Sequence, residues 1–437
     1  VTASGAVWRN WARNEAVTPV RVERPSSVAA VQRAVVAAGK VGLRVKAVGS
    51  GHSFSGIALA PGVQLDLLDL AGLIGVDTVA GQVTLAAGTR LFELPRLLRP
   101  YGLALPNLGD VDRQTISGAT STGTHGTGGR FGGLATQVVA LTLVTGDGTL
   151  LRVSATENAE LLPAARLGLG ALGIMVDVTL QCVPAFLLHA VEAAEPLEEV
   201  LEGYLDRTER SDHFEFFWFP HTETALTKTN TRQPLESGRS PLGRVSRWVD
   251  DELLANGVYR GICGLGAALP ATVPGFNRLA SRRSGKREFT DVSHRVFVTN
   301  RTVRFREMEY ALPRAVVPDA LREVRALIEA RGWRISFPIE VRSAAADDVW
   351  LSTATGRDTG YIAVHRYYRE DPAAYFQAVE AIMRAHGGRP HWGKMHDRDA
   401  ASLRSDYPHF DDFLSVRDRL DPERRFNNSY LERVLGR

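Results

Sequence analysis

The chain has 437 residues, 44% hydrophobic and 23% charged, an ordinary globular balance with room for more than one domain. Its 52 lysines and arginines against 49 acidic residues leave a net charge of +3, too thin an excess for a nucleic-acid binder. Two cysteines make neither a disulfide framework nor a zinc knuckle and point to a cytoplasmic home, and no run reaches the ~18 apolar residues of a membrane span.

Residues Val1 to Asn14 lack a basic stretch followed by an apolar one, so no secretory leader is expected in the chain as given. From Pro25 to Lys40, Val28, Val31 and Val35 fall at helical spacing, with Ser26 or Ser27 as cap and Gly39 as terminator. A strand, Leu43–Val48, follows and runs into a glycine turn, a unit that places a ligand at a strand's carboxyl end. Short strands are predicted at Val63–Leu67, Gly75–Thr78 and Gln82–Ala86, and a helix at Leu91–Tyr101 stopped by Gly102. The charge-free stretch Ile116–Gly128 reads as a flexible linker or as backbone wrapped around a ligand; its place between a helix and the strand Val138–Val144 favours the second. A further glycine cluster, Gly168–Ile174, precedes the strand Met175–Val183, and Pro184 marks a domain boundary. Beyond it, strands are predicted at Phe214–Phe219, Arg295–Val303, Arg334–Val341 and Tyr361–Tyr367, with helices at Pro318–Arg331 and Pro372–His386. The segment Arg232–Arg287 is the least regular and reads as a surface insertion or short helices, and the tail from Asp411 to Val434 reads as polar helix and then extended chain. The pattern predicts an α+β protein: residues 1–185 as one domain, 186–400 as a second with a mainly antiparallel sheet, and 401–437 returning to the first.

Four constellations carry chemistry. In Val48-Gly-Ser-Gly-His-Ser-Phe54, bare N–H groups can form an anion cradle, and His52 stands at its lip; the plainer reading is a solvated turn. Within Ile116–Gly128, hydroxyls and bare amides around His125 suit phosphates and ring carbonyls. Glu340 and Arg342 lie two apart on a strand, so both side chains share one face, as a surface ion pair or as a pocket pair that binds hydroxyls. His391-Trp-Gly-Lys394-Met-His396 offers a lysine able to polarise a hydroxyl, or a solvated one; its histidines lack acidic or thiol neighbours, so no metal is expected. His365 sits on a strand, where a lone histidine is more often structural. There is no Gly-x-Ser-x-Gly elbow, no Gly-Lys-Ser/Thr phosphate loop and no Gly-x-Gly-x-x-Gly opening a helix, so hydrolase, ATPase and NAD-dehydrogenase readings lose ground.

Taken together these motifs resemble the vanillyl-alcohol-oxidase-type flavoproteins, and within them the aldonolactone oxidoreductases, over almost the whole chain. The resemblance implies a two-domain fold with an FAD-binding domain and an α+β substrate cap. It implies FAD joined covalently to His52 and held by Gly49, Ser50, Gly51 and Ser53. The second loop would contribute Ser117, Gly118, Ser121, Gly123, Thr124, His125 and Gly126, and the third Gly173 and Ile174. Leu134–Leu143 and Leu180–Pro184 are similar to the animal gulonolactone oxidases. In the cap, Ile339-Glu-Val-Arg342 and Arg389–Lys394 match the substrate side, implying catalytic roles for Glu340, Arg342 and Lys394, with His365 a further pocket residue. The implied reaction is oxidation of an aldono-1,4-lactone such as L-gulono-1,4-lactone at C2, giving L-ascorbate or an analogue. Hydride would pass to flavin N5, with O2 or another acceptor taking the electrons. An alditol oxidase acting on a polyol such as xylitol, and a non-catalytic flavin-binding protein, are the alternatives. Animal enzymes carry an aromatic middle segment that goes with membrane association; Arg232–Arg287 has few aromatics, so no membrane insertion is expected.

Overall fold

The computed structural model describes residues 6–243, 259–283, 286–299 and 303–437. Three strands, β1 (Arg21–Glu23), β2 (Val45–Val48) and β3 (Val63–Asp66), form a parallel sheet in the order β1-β3-β2. Helix α1 (Val28–Lys40) connects the first two. It buries Val31, Ala34, Val35 and Ala38, the i, i+3, i+4, i+7 stripe of one face. The Ser27 hydroxyl caps it by accepting from the Ala30 amide. Gly39 lies inside the helix rather than ending it; the left-handed residue just beyond is Gly42, at φ 67°.

A five-stranded antiparallel sheet packs beside this unit: β4 (Leu73–Asp77), β5 (Gln82–Ala86), β6 (Val138–Val144), β7 (Leu150–Ser154) and β8 (Ile174–Gln181), in the order β7-β6-β8-β5-β4. The expected helix over 91–101 is present as a short α-helix, Leu94–Leu98, flanked by 3-10 turns and stopped by Gly102 at φ 64°. The glycine- and threonine-rich stretch, read as linker or ligand-wrapping backbone with no helix placed in it, is helical over Ile116–Thr122, α2, capped by Thr115 and ended by Gly123 at φ 82°. Thr120 and Thr122 donate back to the carbonyls of Ile116 and Gly118, so their hydroxyls need no solvent. Buried Ile116 and Ala119 then overcome the low helix propensity of this composition.

The third sheet has eight antiparallel strands: β9 (Leu187–Pro196), β10 (His213–Trp218), β11 (Thr224–Gln233), β12 (Arg287–Val292), β13 (Phe305–Pro313), β14 (Ile339–Ala344), β15 (Thr359–Tyr367) and β16 (Arg389–Pro390). Their order is β12-β9-β11-β10-β14-β15-β13-β16. Alternation along the central strands decides what each face does. Phe214, Phe216, Met308, Tyr310, Ile339, Val341, Ile362 and Val364 enter one apolar core under helices α3 (Val317–Arg331) and α4 (Ala373–Ala385). The intervening residues, Glu215, Glu307, Glu309, Glu340, Arg342, Tyr361 and His365, share the other face. Each aromatic or aliphatic side chain buried in the helix-covered layer stabilises by about 1.5–3 kcal/mol, which anchors the polar face opposite.

Three sequence expectations in this half are corrected. The strand placed at Arg295–Val303 is instead a helical turn, Ser293–Phe297, and the extended chain begins at Phe305; residues 300–302 lie outside the described ones. The strand placed at Arg334–Val341 starts only at Ile339 and runs to Ala344. The tail is not extended at its end: α5 (Phe410–Leu420) is followed by α6 (Ser429–Leu435), capped by Asn428. Of the segment expected to be irregular, the described part holds helices Tyr259–Ala268 and Val273–Arg283. The tail lies on the first sheet, where Arg425 O accepts from the Val45 amide and the Asn428 side chain donates to Gly56, Ile57 and Leu59 carbonyls. Among the described residues no helix is long and apolar enough to cross a membrane.

Candidate active site

Two cavities meet at Gln114, which lines both. The first is an open cleft, about 1010 Å³ with the solvent it opens to. Gly49, Ser50, Gly51, His52 and Ser53 line it from the turn after β2, and Ser117, Gly118 and Ser121 from α2. Gly173 and Ile174 complete it at the start of β8. At Gly49 a Cβ would lie 2.3 Å from the Thr115 hydroxyl, and Gly51 sits at φ 66°, so this turn admits glycine only. The Ser50 hydroxyl is buried without a hydrogen-bond partner among the described residues. A buried hydroxyl left in that state on the wall of a glycine cradle fits a bound phosphate- or carbonyl-bearing group such as FAD. Lys46, deeper in the same cleft, donates to the carbonyls of Gly170 (3.1 Å) and Phe426 (3.2 Å). Burial, helped by Arg417 and opposed by Asp421, pulls its ammonium down to about 7.

The His52 turn is clamped from two sides. Asn10 and Asn14 donate to the carbonyls of Ser53 and Phe54, and the Trp11 amide to Gly51. On the other side, the Phe54 amide donates to Gly393 O (2.6 Å) and the Ser55 hydroxyl to Trp392 O (2.8 Å). The imidazole of His52 stacks on Trp11, centroids 5.7 Å apart. Burial and then the charges of Arg90, Lys394 and Arg113 lower its pKa to about 4, so the ring is neutral at pH 7.

The second cavity, about 540 Å³, lies against the polar face of the eight-stranded sheet. Four of its residues are those expected on the substrate side: Glu340 and Arg342 on β14, His365 on β15 and Lys394 on the loop after β16. Thr124 and His125, expected beside the cofactor, line this cavity instead, while Gly123 and Gly126 line neither. A Cβ at Gly126 would strike the Leu108 carbonyl at 2.5 Å, so that glycine serves close packing.

The charges in this cavity are paired. Arg342 donates to Glu215 (2.8 Å), lies 3.5 Å from Asp110 and forms an ion pair with Glu340. Burial opposes its charge, but the three carboxylates together hold it well above its ordinary value. Lys394 is bonded to Glu307 and lies 4.0 Å from Glu309. Burial works against the Glu307 carboxylate, yet the Lys394 ammonium beside it keeps it well below the usual carboxylate range. Glu309, likewise buried, is brought down to about 2 chiefly by His125, whose Nε2 is 2.9 Å away.

His125, Glu309 and His391 place their ligand atoms within 4.8 Å of one another. A metal ion needs a bare nitrogen from each ring. His391 Nδ1 already accepts from the Gly393 amide (3.0 Å), which leaves the proton of this neutral ring on Nε2. Both nitrogens of His125 face oxygen acceptors, Gly126 O at 2.8 Å and Glu309. The trio is therefore a hydrogen-bonded wall.

Sequence reasoning missed Glu307, Glu309, Asp110, Gln114 and Glu215. The signal for the first two was present: in Phe305-Arg-Glu-Met-Glu-Tyr310, carboxylates alternate with Met308 and Tyr310 at strand spacing.

Comparison with known proteins agrees with this geometry. Residues 19–154 match an FAD-binding domain and residues 178–434 match D-arabinono-1,4-lactone oxidase. An L-gulono-1,4-lactone dehydrogenase of Mycobacterium tuberculosis (strain ATCC 25618 / H37Rv) is 45% identical over 98% of this chain and 99% of its own. An L-gulonolactone oxidase of Bos taurus is 37% identical over 99% and 98%. Among solved structures, cholesterol oxidase from B. sterolicum superposes with a TM-score of 0.81 at 18% identity, covering 98% of this chain and 96% of its own, a likeness of fold. The α+β, vanillyl-alcohol-oxidase-type architecture read from the motifs therefore stands, and the chain belongs to the D-arabinono-1,4-lactone oxidase family, with an FAD-binding domain preceding the family-specific part.

Proposed function

We propose that this protein oxidises an aldono-1,4-lactone, L-gulono-1,4-lactone first among them, at its C2 hydroxyl to give L-ascorbate or an analogue, with FAD attached at His52. The observation that carries the reading is the cavity in which Glu340, Arg342 and His365, from one sheet face, meet Lys394, from the loop after β16, beside the glycine cradle. Residues 1–185 would hold the cofactor with help from 401–437, and 186–400 would lay the lactone against it. Bound FAD supplies the two-electron acceptor for the hydride leaving carbon. Lys394 meets the substrate oxygen and stabilises negative charge as the hydroxyl proton departs. Glu340 accepts a hydrogen bond from a ring hydroxyl, and Arg342, fixed by three carboxylates, holds Glu340 in that orientation. His365 Nδ1 donates to Pro338 O (2.9 Å), which leaves Nε2 bare toward the cavity to take the proton. A neutral His52, stacked and clamped, suits bond formation through a ring nitrogen. Cys182 and Cys263, buried and not bridged to each other, support residence in the reducing cytoplasm.

The test is anaerobic mixing of the purified holoprotein with L-gulono-1,4-lactone or with xylitol. Bleaching of the flavin band by the lactone at low concentration supports the reading. Bleaching by xylitol alone would move the enzyme to the alditol oxidases, and bleaching by neither would leave a flavin-binding protein without this chemistry.

A further inference from the structure

Glu307 occupies a position the mechanism above leaves unassigned. It lies on β13 directly opposite His365 on β15, so both side chains rise from the same face into the second cavity. Its two carboxylate oxygens serve different partners: Oε2 bonds Lys394, and Oε1 lies 3.5 Å from His365 Nε2. Backbone bonds fix the arrangement, since the Met395 amide donates to Glu307 O (2.9 Å) and the His391 amide to Glu309 O (3.0 Å). The Phe305 ring meets His365 edge-on at 5.1 Å and closes the remaining side. Because Pro338 O can only accept, the proton of a neutral His365 is on Nδ1 and the nitrogen facing Glu307 is bare. One carboxylate thus stands between a donor and an acceptor, and it can stay ionised throughout turnover.

We propose that Glu307 is a positioning residue of the reaction, a shared counter-ion that keeps Lys394 a cation for the substrate oxygen and His365 an acceptor for the substrate proton. This deepens the lactone reading above and rests on it. In the step it serves, the C–H bond breaks and its electron pair leaves as hydride to FAD, and the O–H proton passes to His365 Nε2. The carbonyl C=O forms, and the new imidazolium is neutralised by Glu307 Oε1. Lys394 keeps its proton on both sides of the step. Other charged or titratable groups facing Lys394 are Glu309 from the same strand, Asp110 from the loop before α2, His52 from the glycine turn and His391 from its own segment. Burial pulls the lysine down and the carboxylates, Glu307 first, more than offset this.

The experiment compares wild type with Glu307→Gln, which keeps shape and loses charge, and Glu307→Asp, which keeps charge. Flavin reduction by L-gulono-1,4-lactone is followed anaerobically from about pH 6 to about pH 11, far enough to meet the raised Lys394. In Glu307→Gln the reduction rate constant is expected to fall at least ~10-fold with lactone affinity changed less than ~3-fold, and the alkaline limb to move down by at least ~1 pH unit. Glu307→Asp should retain the limb. A rate within ~2-fold of wild type with an unmoved limb overturns the proposal. So does an equal loss in both variants with the limb in place, the signature of packing alone. Acetic anhydride labelling of Lys394, read by mass spectrometry against pH, needs no substrate. Its midpoint should fall in Glu307→Gln, and an unchanged midpoint also overturns the proposal. A wild type that the lactone does not bleach would sink the lactone reading instead, with the labelling result still deciding the role of Glu307.

Discussion

Replacing Lys394 by methionine separates what the ammonium does for catalysis from what it does for the fold. Its side chain keeps 21% of its surface exposed, toward the cavity, while Glu307 is 7% and Glu309 6% exposed. Removing one partner of a buried pair costs ~3–5 kcal/mol because the other charge is left behind, and the partial exposure of the lysine places the expected loss near ~3 kcal/mol. Loss of a preorganised donor to the reacting oxygen costs at least ~100-fold in kcat, which is ~2.7 kcal/mol of barrier. The two effects come apart in the double variant Lys394→Met, Glu307→Met. Removing both charges together should restore most of the stability, since a well-packed apolar pair substitutes for an ion pair at little cost, and should leave the rate low. Urea unfolding measures the first quantity, and anaerobic flavin reduction at saturating lactone the second. A single variant reducing its flavin within ~3-fold of wild type would remove Lys394 from the chemistry. A double variant that recovered turnover along with stability would show that the lysine only neutralises Glu307.

The remaining expectations address the cofactor cleft and the second cavity wall. His52→Ala should abolish flavin that survives acid precipitation, and pelleted flavin in that variant would mean a different residue forms the bond. Ser50→Ala should leave the flavin-free protein as stable as wild type, because the hydroxyl has no partner among the described residues, and, in a His52→Ala background where flavin is held without a covalent bond, weaken flavin binding by roughly 3- to 10-fold, the worth of one hydrogen bond; a stability loss in the flavin-free protein, by thermal melt, would contradict this. Glu309 has its pKa depressed to about 2 in the fold, against about 4.3 for an unfolded chain. Its contribution is thus present above pH ~4.3 and lost progressively as pH falls toward 2. Glu309→Gln should be less stable than wild type at pH 6, and the gap should narrow by pH 3 in urea midpoints; a constant gap would rule out the ionised pair with His125.

Local signals made part of this site legible in the sequence. A histidine among glycines after a short strand is poor core material, so the His52 turn could be read without a partner segment. Glu340 and Arg342 could be read because two residues apart on a strand means one face. Glu307 and Glu309 obey the same rule and were lost because the strand was set at Arg295–Val303, which left Phe305–Pro313 outside the pattern. The α2 helix escaped because its glycines and hydroxyls disfavour helix in isolation; burial of Ile116 and Ala119 and back-bonding of the threonines are tertiary or conformation-dependent facts. Asp110 and Glu215 reach Arg342 from distant parts of the chain, and only the sheet order and the packing of the loop before α2 bring them there. The counter-ions of a site, unlike its glycine turns, are set by which strands become neighbours.

That distinction explains why the segment from Arg389 to Met395 carries so much of the architecture. Its Gly393 and Trp392 carbonyls hold the Phe54 amide and the Ser55 hydroxyl of the His52 turn. Its His391 and Met395 amides are bonded to the Glu309 and Glu307 carbonyls on the eight-stranded sheet. The Tyr430 hydroxyl of α6 donates to Trp392 O (2.9 Å), which ties in the C-terminal helix. Between these anchors, Lys394 Nζ lies 5.1 Å over the Phe54 ring, two residues from His52. A Cβ at Gly393 would come to 3.3 Å from both the Ser53 hydroxyl and His391, so a side chain there would crowd the seam where the two turns touch. The separation of Lys394 from the His52 turn is therefore set by main-chain hydrogen bonds, which yield far less than long side chains do. A hydride-transfer site needs this, since a misplacement of about 1 Å costs on the order of 100-fold in rate. Glu307 and His365 are placed by the same seam, because the strand that bonds Lys394 is the one that presents Glu307 to His365.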